Sequence, residues 1–255
     1  MSILSDFKLD GEKAIVTGAS RGLGREVALG LAEAGADVAV VDKLVDQGKE
    51  TSDLVRGLGR KSITLEADVT NEDDVKKMVE DVMSEFGKID ILVNNAGIVT
   101  WTAAEDMDYD EWKSVIDVNL NGVYLCSKWV GKEMIKKKKG SIINVSSMSA
   151  VIVNYPQKQT HYNASKAGVC QLTKCLAYEW APYNVRVNAV LPGYIGTPLL
   201  KEADKHYLDE WSAKSAQKRI GDPSELKGIF VFLASKAASY FCGSLVVADG
   251  GYILT

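Results

Sequence analysis

Tyr162 and Lys166 lie four residues apart in the run His161-Tyr162-Asn163-Ala164-Ser165-Lys166-Ala167-Gly168. On a helix both side chains share one face, a turn apart. An ammonium beside a phenol favours the phenolate and draws down a hydroxyl whose ordinary pKa is about 10. The result is a general acid/base suited to a carbonyl or an alcohol. The pair alone says little, because Tyr and Lys at this spacing occur on many ordinary helices. Its meaning depends on the elements that position it.

Lys13-Ala14-Ile15-Val16-Thr17 reads as a buried strand, rich in β-branched residues. It enters the turn Gly18-Ala19-Ser20-Arg21-Gly22-Leu23-Gly24, and a helix-like run over 25–34 follows. A strand, a glycine turn and a helix start form a phosphate cradle. The glycines admit a pyrophosphate, and the helix N-terminus offers unpaired N–H groups and a positive dipole end. A second strand, Asp37-Val38-Ala39-Val40-Val41, ends at Asp42. That acid falls near the roughly 20-residue offset expected of a carboxylate that binds the adenosine ribose. A carboxylate there welcomes the free hydroxyls of NAD and repels the 2′-phosphate of NADP. Arg21 and Lys43 pull the other way, since either could pair with a phosphate. The expectation is NAD, with NADP possible.

Composition fits such an enzyme. The 255 residues are 46% hydrophobic and 25% charged, with a formal charge of −4, and suit one α/β domain spanning 1–255. The acidic balance gives no reason to expect a nucleic-acid partner. Four cysteines (Cys126, Cys170, Cys175, Cys242) show no C-x-x-C pair, and only two histidines exist, so no metal site is expected. Reduced cysteines, no signal peptide and no apolar run of spanning length point to a cytoplasmic protein away from membranes.

Strand and helix patterns alternate along the chain. Further strands are expected over 61–66, 89–93, 141–145, 185–190 and 244–247, with helices over 71–86, 108–139, 160–180 and 224–234. This alternation predicts a doubly wound parallel sheet of Rossmann type with helices on both faces.

Six segments carry a resemblance: Thr17-Gly18-x-x-x-Gly22-x-Gly24, Asn94-Asn95-Ala96-Gly97, Asp117-Val118-Asn119, Asn144-Val145-Ser146-Ser147, Tyr162-x-x-x-Lys166 and Pro192-Gly193. In this order the chain resembles the short-chain dehydrogenase/reductase family over essentially its full length. The resemblance implies NAD(P)-dependent interconversion of an alcohol and a carbonyl. It makes Tyr162 the proton donor and acceptor and has Lys166 depress its pKa and meet the nicotinamide ribose. It has Ser147 orient the substrate oxygen, and Asn119 hold a water linking Lys166 to solvent. Asn94 and Gly97 would shape the adenosine side and Asp68 would meet the adenine. Pro192, Gly193 and Thr197 would face the nicotinamide end. The implied cofactor-binding set also takes in Ser20, Arg21, Leu23, Asp42, Val69, Asn95, Ala96 and Ile195, and relatives usually form homotetramers.

Ser146 and Ser147 are neighbours, so one faces the cleft and the other turns away. Alignment from the strand favours Ser147, although the stretch before Tyr162 is then slightly longer than usual. That stretch, 147–157, resembles the sugar-alcohol and sugar-acid branch of the family, which implies a small polar substrate. Asn154, Gln157, Gln159 and His161 could line a pocket for several hydroxyls, or could be exposed loop polars. Residues 199–219 are a lid candidate. Trp101 either walls the cleft or packs in the core or on the surface. The run Lys136–139 reads as a solvated helix end rather than a docking patch. Two alternatives stay open: a 3-oxoacyl-thioester reductase, and a nucleotide-sensing protein without catalysis.

Overall fold

The structure, a computed structural model, describes residues 2–201 and 204–254. Seven strands form one parallel sheet: β1 (Lys13–Thr17), β2 (Asp37–Asp42), β3 (Ser62–Glu66), β4 (Ile91–Asn94), β5 (Gly140–Val145), β6 (Val185–Pro192) and β7 (Leu245–Ala248). Their order is β3-β2-β1-β4-β5-β6-β7. The order reverses between β1 and β4, and a crevice opens there at the carboxyl ends of the strands.

The helices are α1 (Gly22–Glu33), α2 (Val45–Gly57), α3 (Glu72–Phe86), α4 (Tyr109–Ile116), α5 (Gly122–Lys137), α6 (Thr160–Trp180), α7 (Pro198–Lys201), α8 (Lys205–Lys214) and α9 (Lys227–Ala234). Side chains alternate across each strand, so both faces of the sheet carry a core. Val16, Val38 and Val40 pack with Leu31 and Phe230 on one face. Ile15, Leu92 and Ile142 pack with Val82, Val130 and Met134 on the other.

Two helical readings need correction. The stretch 108–139 is not one regular helix: α4 and α5 are joined by a π-helical turn, Asp117–Asn121. Helix α2 was not expected at all. Its inner face is Gly48, Thr51, Ser52 and Val55, too small and polar to raise a hydrophobic period.

The ends of the strands opposite the crevice are held by charge. Asp90, almost fully buried, accepts from the Lys13 backbone N–H (2.9 Å) and pairs with Lys88 (2.9 Å) and Lys137 (2.5 Å). In the Lys136–139 run, Lys136 pairs with Glu133, Lys137 with Asp90 and Lys139 with Glu12, as suits a helix end. Among the described residues, no helix is long and apolar enough to cross a membrane, and no cluster of His, Cys, Asp and Glu could hold a metal ion.

Candidate active site

The crevice begins at the glycine turn. Gly18 has a φ of +65°, and a Cβ there would lie 2.8 Å from Ala96 Cα. A Cβ on Gly24 would lie 2.2 Å from the Gly18 carbonyl oxygen. Neither position admits a side chain. Asn95 fixes the turn from β4: its Nδ2 donates to the carbonyls of Thr17 (3.0 Å) and Gly18 (2.9 Å). Thr17 Oγ1 in return accepts from the N–H groups of Asn95 and Ala96. Helix α1 starts without a side-chain cap, so its first amides are free for an anion.

A cavity of about 980 Å³ runs from this turn, lined by Arg21, Leu23, Asp42, Lys43, Asp68 and Val69 among others. Its backbone cradle and volume fit a dinucleotide. Asp42 Oδ2 accepts from the Ser20 N–H (3.0 Å) and Oδ1 from the Leu44 N–H (3.1 Å), which holds the carboxylate rigidly at the mouth of β2. Lys43 is paired with Asp68 at 2.7 Å. Burial raises the Asp68 pKa, but hydrogen bonds from Lys43 and Thr70 outweigh it and hold the carboxyl below its usual range.

Two residues implied for the cofactor end are turned away from it. Ser20 is fully buried and donates its hydroxyl to the Leu44 carbonyl at 2.9 Å. Asn94 lies behind the site, donating to Ser127 Oγ (2.9 Å) and Asn144 Oδ1 (2.8 Å). Sequence reasoning passed over Arg25. Its guanidinium grips the Ser20 carbonyl (2.6 Å from Nη2) and Thr51 Oγ1 (2.9 Å from Nε), bracing the glycine turn against α2.

At the other end a smaller cavity of about 220 Å³ brings Ser147, Tyr162 and Lys166 together with Pro192, Gly193, Ile195 and Thr197. Ser146 faces away, donating to the Lys166 carbonyl at 2.8 Å. Lys166, 4% exposed, donates from Nζ to the Val145 carbonyl at 2.9 Å, and Nζ lies 5.6 Å from the Tyr162 ring centroid. Asn119, on the π-helical turn, accepts from the Ile98 N–H (2.8 Å) and donates to the Ile98 carbonyl (2.9 Å). A Cβ on Gly97 would sit 3.3 Å from Asn119 Oδ1 and 3.5 Å from Lys166 Nζ, so glycine keeps the space between them open.

The electrostatics differ from the expectation drawn from the Tyr–Lys pair. Burial pushes the Tyr162 phenol above its ordinary pKa; Ser147 pulls it down and Tyr194 adds to the rise. Burial brings Lys166 down to about 8. Burial is the largest influence on both groups. Ser147→Ala is expected to cut kcat at least tenfold, whereas Ser146→Ala changes mainly stability. Steady-state kinetics with thermal melting of both variants separates the two.

The polar loop residues are not exposed. Asn154, Gln157 and Gln159 are each more than nine-tenths buried and line this cavity. His161 does not: it is fully buried against Thr100, 2.6 Å from Nε2, with Glu111 beyond. Trp101 both walls the cavity and packs, edge-on to Tyr207 and Trp211. The lid candidate is helical: α8 drives a fully buried Trp211 into the cavity wall, stacked on Tyr194 with centroids 4.2 Å apart. Residues 202 and 203 of that candidate lie outside the described residues. Tyr194 was also missed, since a single Tyr after a Pro-Gly turn carries no periodic signal.

Residues 18–253 match the family model described as enoyl-(acyl carrier protein) reductase. Sorbose reductase SOU1 of Candida albicans is 42% identical over 254 residues, covering 98% of this chain and 90% of that protein. An NADP-dependent mannitol dehydrogenase of Hypocrea jecorina is 40% identical over 254 residues, covering 98% and 95%. A crystal structure of a short-chain type dehydrogenase/reductase from Mycobacterium marinum superposes with a TM-score of 0.97 at 44% identity, covering 100% of both chains.

Proposed function

The chain belongs to the short-chain dehydrogenase/reductase family and is an oxidoreductase dependent on a nicotinamide cofactor; from that premise we propose that it interconverts a secondary alcohol and a ketone of a polyol, sugar or sugar acid. The observation that carries the substrate class is the cavity beside Ser147 and Tyr162, walled by buried side-chain amides. These amides are hydrogen-bonded among themselves and to Tyr194, so they give the cavity a polar wall that suits a polyhydroxylated substrate better than an acyl chain. The names of the two relatives, a sorbose reductase and a mannitol dehydrogenase, point the same way.

In this reading Ser147 Oγ and Tyr162 Oη hold the reacting oxygen. Tyr162 takes the hydroxyl proton during oxidation and returns it during reduction. Gly18–Gly24, Pro192, Gly193 and Thr197 would hold the nicotinamide cofactor, which would supply or accept the hydride. Lys166 lends positive charge beside the phenol, and Asn119 holds the loop at Ile98 and faces the space beside Lys166. Asp42 favours the free ribose hydroxyls of NAD. NADP is the second reading, favoured by Arg21, by Lys43 and by the cofactor in the name of the mannitol dehydrogenase.

A 3-oxoacyl-thioester reductase, the alternative reading, would share with the description of the family model only its acyl carrier, and needs a basic face for that acidic carrier. Lys136, Lys137 and Lys139 are each paired with an acid, and Arg186 is turned inward onto the Leu233 carbonyl at 2.7 Å. A non-catalytic sensor has no use for Ser147, Tyr162 and Lys166 facing one cleft. We take the protein to be a cytoplasmic homotetramer associated through α5 and α6, on which Tyr124 and Tyr178 stand exposed.

The test is reduced-nicotinamide absorbance with purified protein, NAD or NADP, and a panel of hexitols, pentitols and aldonates. Turnover of at least one of these is expected. Silence across the panel, with activity on a 3-oxoacyl thioester and NADPH, overturns the substrate class.

A further inference from the structure

The amides lining the substrate cavity form a network whose polarity is fixed from both ends. At one end the Ile152 carbonyl can only accept, so the group 3.0 Å away is Asn163 Nδ2. Asn163 Oδ1 then faces Gln159, which presents Nε2 to it at 2.9 Å. The second hydrogen of Gln159 Nε2 goes to Asn154 Oδ1 at 3.1 Å. Asn154 Nδ2 is thereby turned onto Tyr194 Oη, 3.1 Å away. At the other end the Trp211 indole can only donate, so the atom 3.2 Å from it is Gln157 Oε1. Gln157 Nε2 donates to the same Tyr194 Oη at 2.7 Å. Tyr194 in turn gives its one hydrogen to Tyr252.

One strong acceptor remains outside this network. Both hydrogens of the Gln159 amide are engaged by Asn154 and Asn163, so Oε1 is fixed on the side away from them. Turning the amide over would set its oxygen against two carbonyl oxygens. Gln159 immediately precedes α6, yet its side chain does not cap that helix. Among the described residues, Gln159 Oε1 accepts from nothing. The unpaired side-chain polar atoms sealed from solvent are, among the described residues, Arg60 Nε, Asn94 Oδ1 and His161 Nδ1. Gln159 Oε1 is not one of them, so it opens on free space. Gln159 is 7% exposed, and the space it lines is the cavity of Ser147 and Tyr162. Its amide is close to the reacting centre: Nε2 lies 3.5 Å from Ser149 Oγ, which lies 3.0 Å from Ser147 Oγ.

We infer that Gln159 is a specificity-determining residue whose Oε1, held toward the cavity by Asn154 and Asn163, accepts a hydrogen bond from a substrate hydroxyl close to the reacting carbon. The inference rests on the polyol reading above and deepens it by fixing the sense of one contact. A hydroxyl supplies the donor. A deoxygenated carbon leaves Oε1 covered and unpaired, and a second carbonyl or a carboxylate oxygen, which can only accept, is repelled. Loss of the donor costs about tenfold or more in kcat/KM.

The experiment takes the substrate of highest kcat/KM from the panel above and its two analogues that lack the hydroxyl on one or the other carbon flanking the reacting carbon. These are the 1-deoxy and 3-deoxy compounds where the second carbon reacts. In the wild type at least one analogue is expected to fall about tenfold or more in kcat/KM. Gln159→Met keeps the length of the side chain without the amide. In this variant the ratio of parent to that analogue is expected to drop to within about threefold of unity. Melting curves and cofactor titration establish that the variant is folded. A wild type indifferent to both hydroxyls overturns the inference without recourse to any variant. An equal fall on parent and analogue in Gln159→Met, which leaves the ratio unchanged, overturns the role of Gln159 alone. Silence across the whole panel overturns the polyol reading, and this role with it.

Discussion

Tyr162→Phe is expected to lower kcat by about 10²- to 10⁴-fold, the usual size of a positioned general acid/base contribution. Dinucleotide affinity, measured by fluorescence titration, should stay within about twofold of wild type, because the cradle at Gly18–Gly24 is built without the phenol. The pH profile carries the sharper signature. Burial holds the Tyr162 phenol above its ordinary pKa. Oxidation requires the deprotonated form, which is scarce at neutral pH and grows tenfold per pH unit. The kcat/KM for alcohol oxidation should therefore climb with pH, while ketone reduction, which uses the protonated form, should not. Lys166 acts in the opposite sense. Its pKa, brought down to about 8 by burial, means that its charge fades above that pH and the climb should flatten. The residual activity of the Phe variant should lack the climb. Loss of dinucleotide binding in this variant, or turnover near wild type, would sink the assignment.

Asp42→Asn is expected to shift the ratio of kcat/KM for NAD over NADP toward NADP by about 10²-fold. A carboxylate set against a 2′-phosphate costs several kcal/mol, and about 1.4 kcal/mol is a factor of ten. The amide keeps one acceptor for the Ser20 or Leu44 N–H but not both, so a small drop in melting temperature should accompany the shift. Arg21 already lines the cavity beside this position, and Lys43 would need only to leave Asp68 to meet a phosphate. Kinetics with both cofactors, on wild type and variant, decides the matter. A wild type that already prefers NADP would show that these two cations outweigh Asp42.

The sheet and the ends of its strands were legible because apolar strands, glycine turns and Asn, Ser and Pro-Gly punctuation recur at fixed places. Helix α2 was hidden because its buried face is made of Gly, Thr and Ser. Ser147 could be told from Ser146 only by alignment, and the structure gives the physical difference: the Ser147 hydroxyl is hydrogen-bonded with Tyr162, and that of Ser146 with the Lys166 carbonyl. The direction of the Tyr162 pKa could not be read from spacing at all. It depends on how much water burial removes, which is a property of the folded cleft. Tyr194, Trp211 and the amides reach the cavity from three separate segments, so no local pattern joins them.

The π-helical turn at Asp117–Asn121 has a consequence for phase. A regular helix advances about 100° per residue. Buried Val115 and Val123 would then point about 80° apart, and α5 would present its apolar stripe askew from that of α4. One extra residue taken up in the wide turn reduces the difference to about 20°, so the two buried valines point nearly the same way. The irregular turn that aims Asn119 inward is therefore also a rotational correction, and deleting one residue there would misalign everything from Gly122 to Lys137.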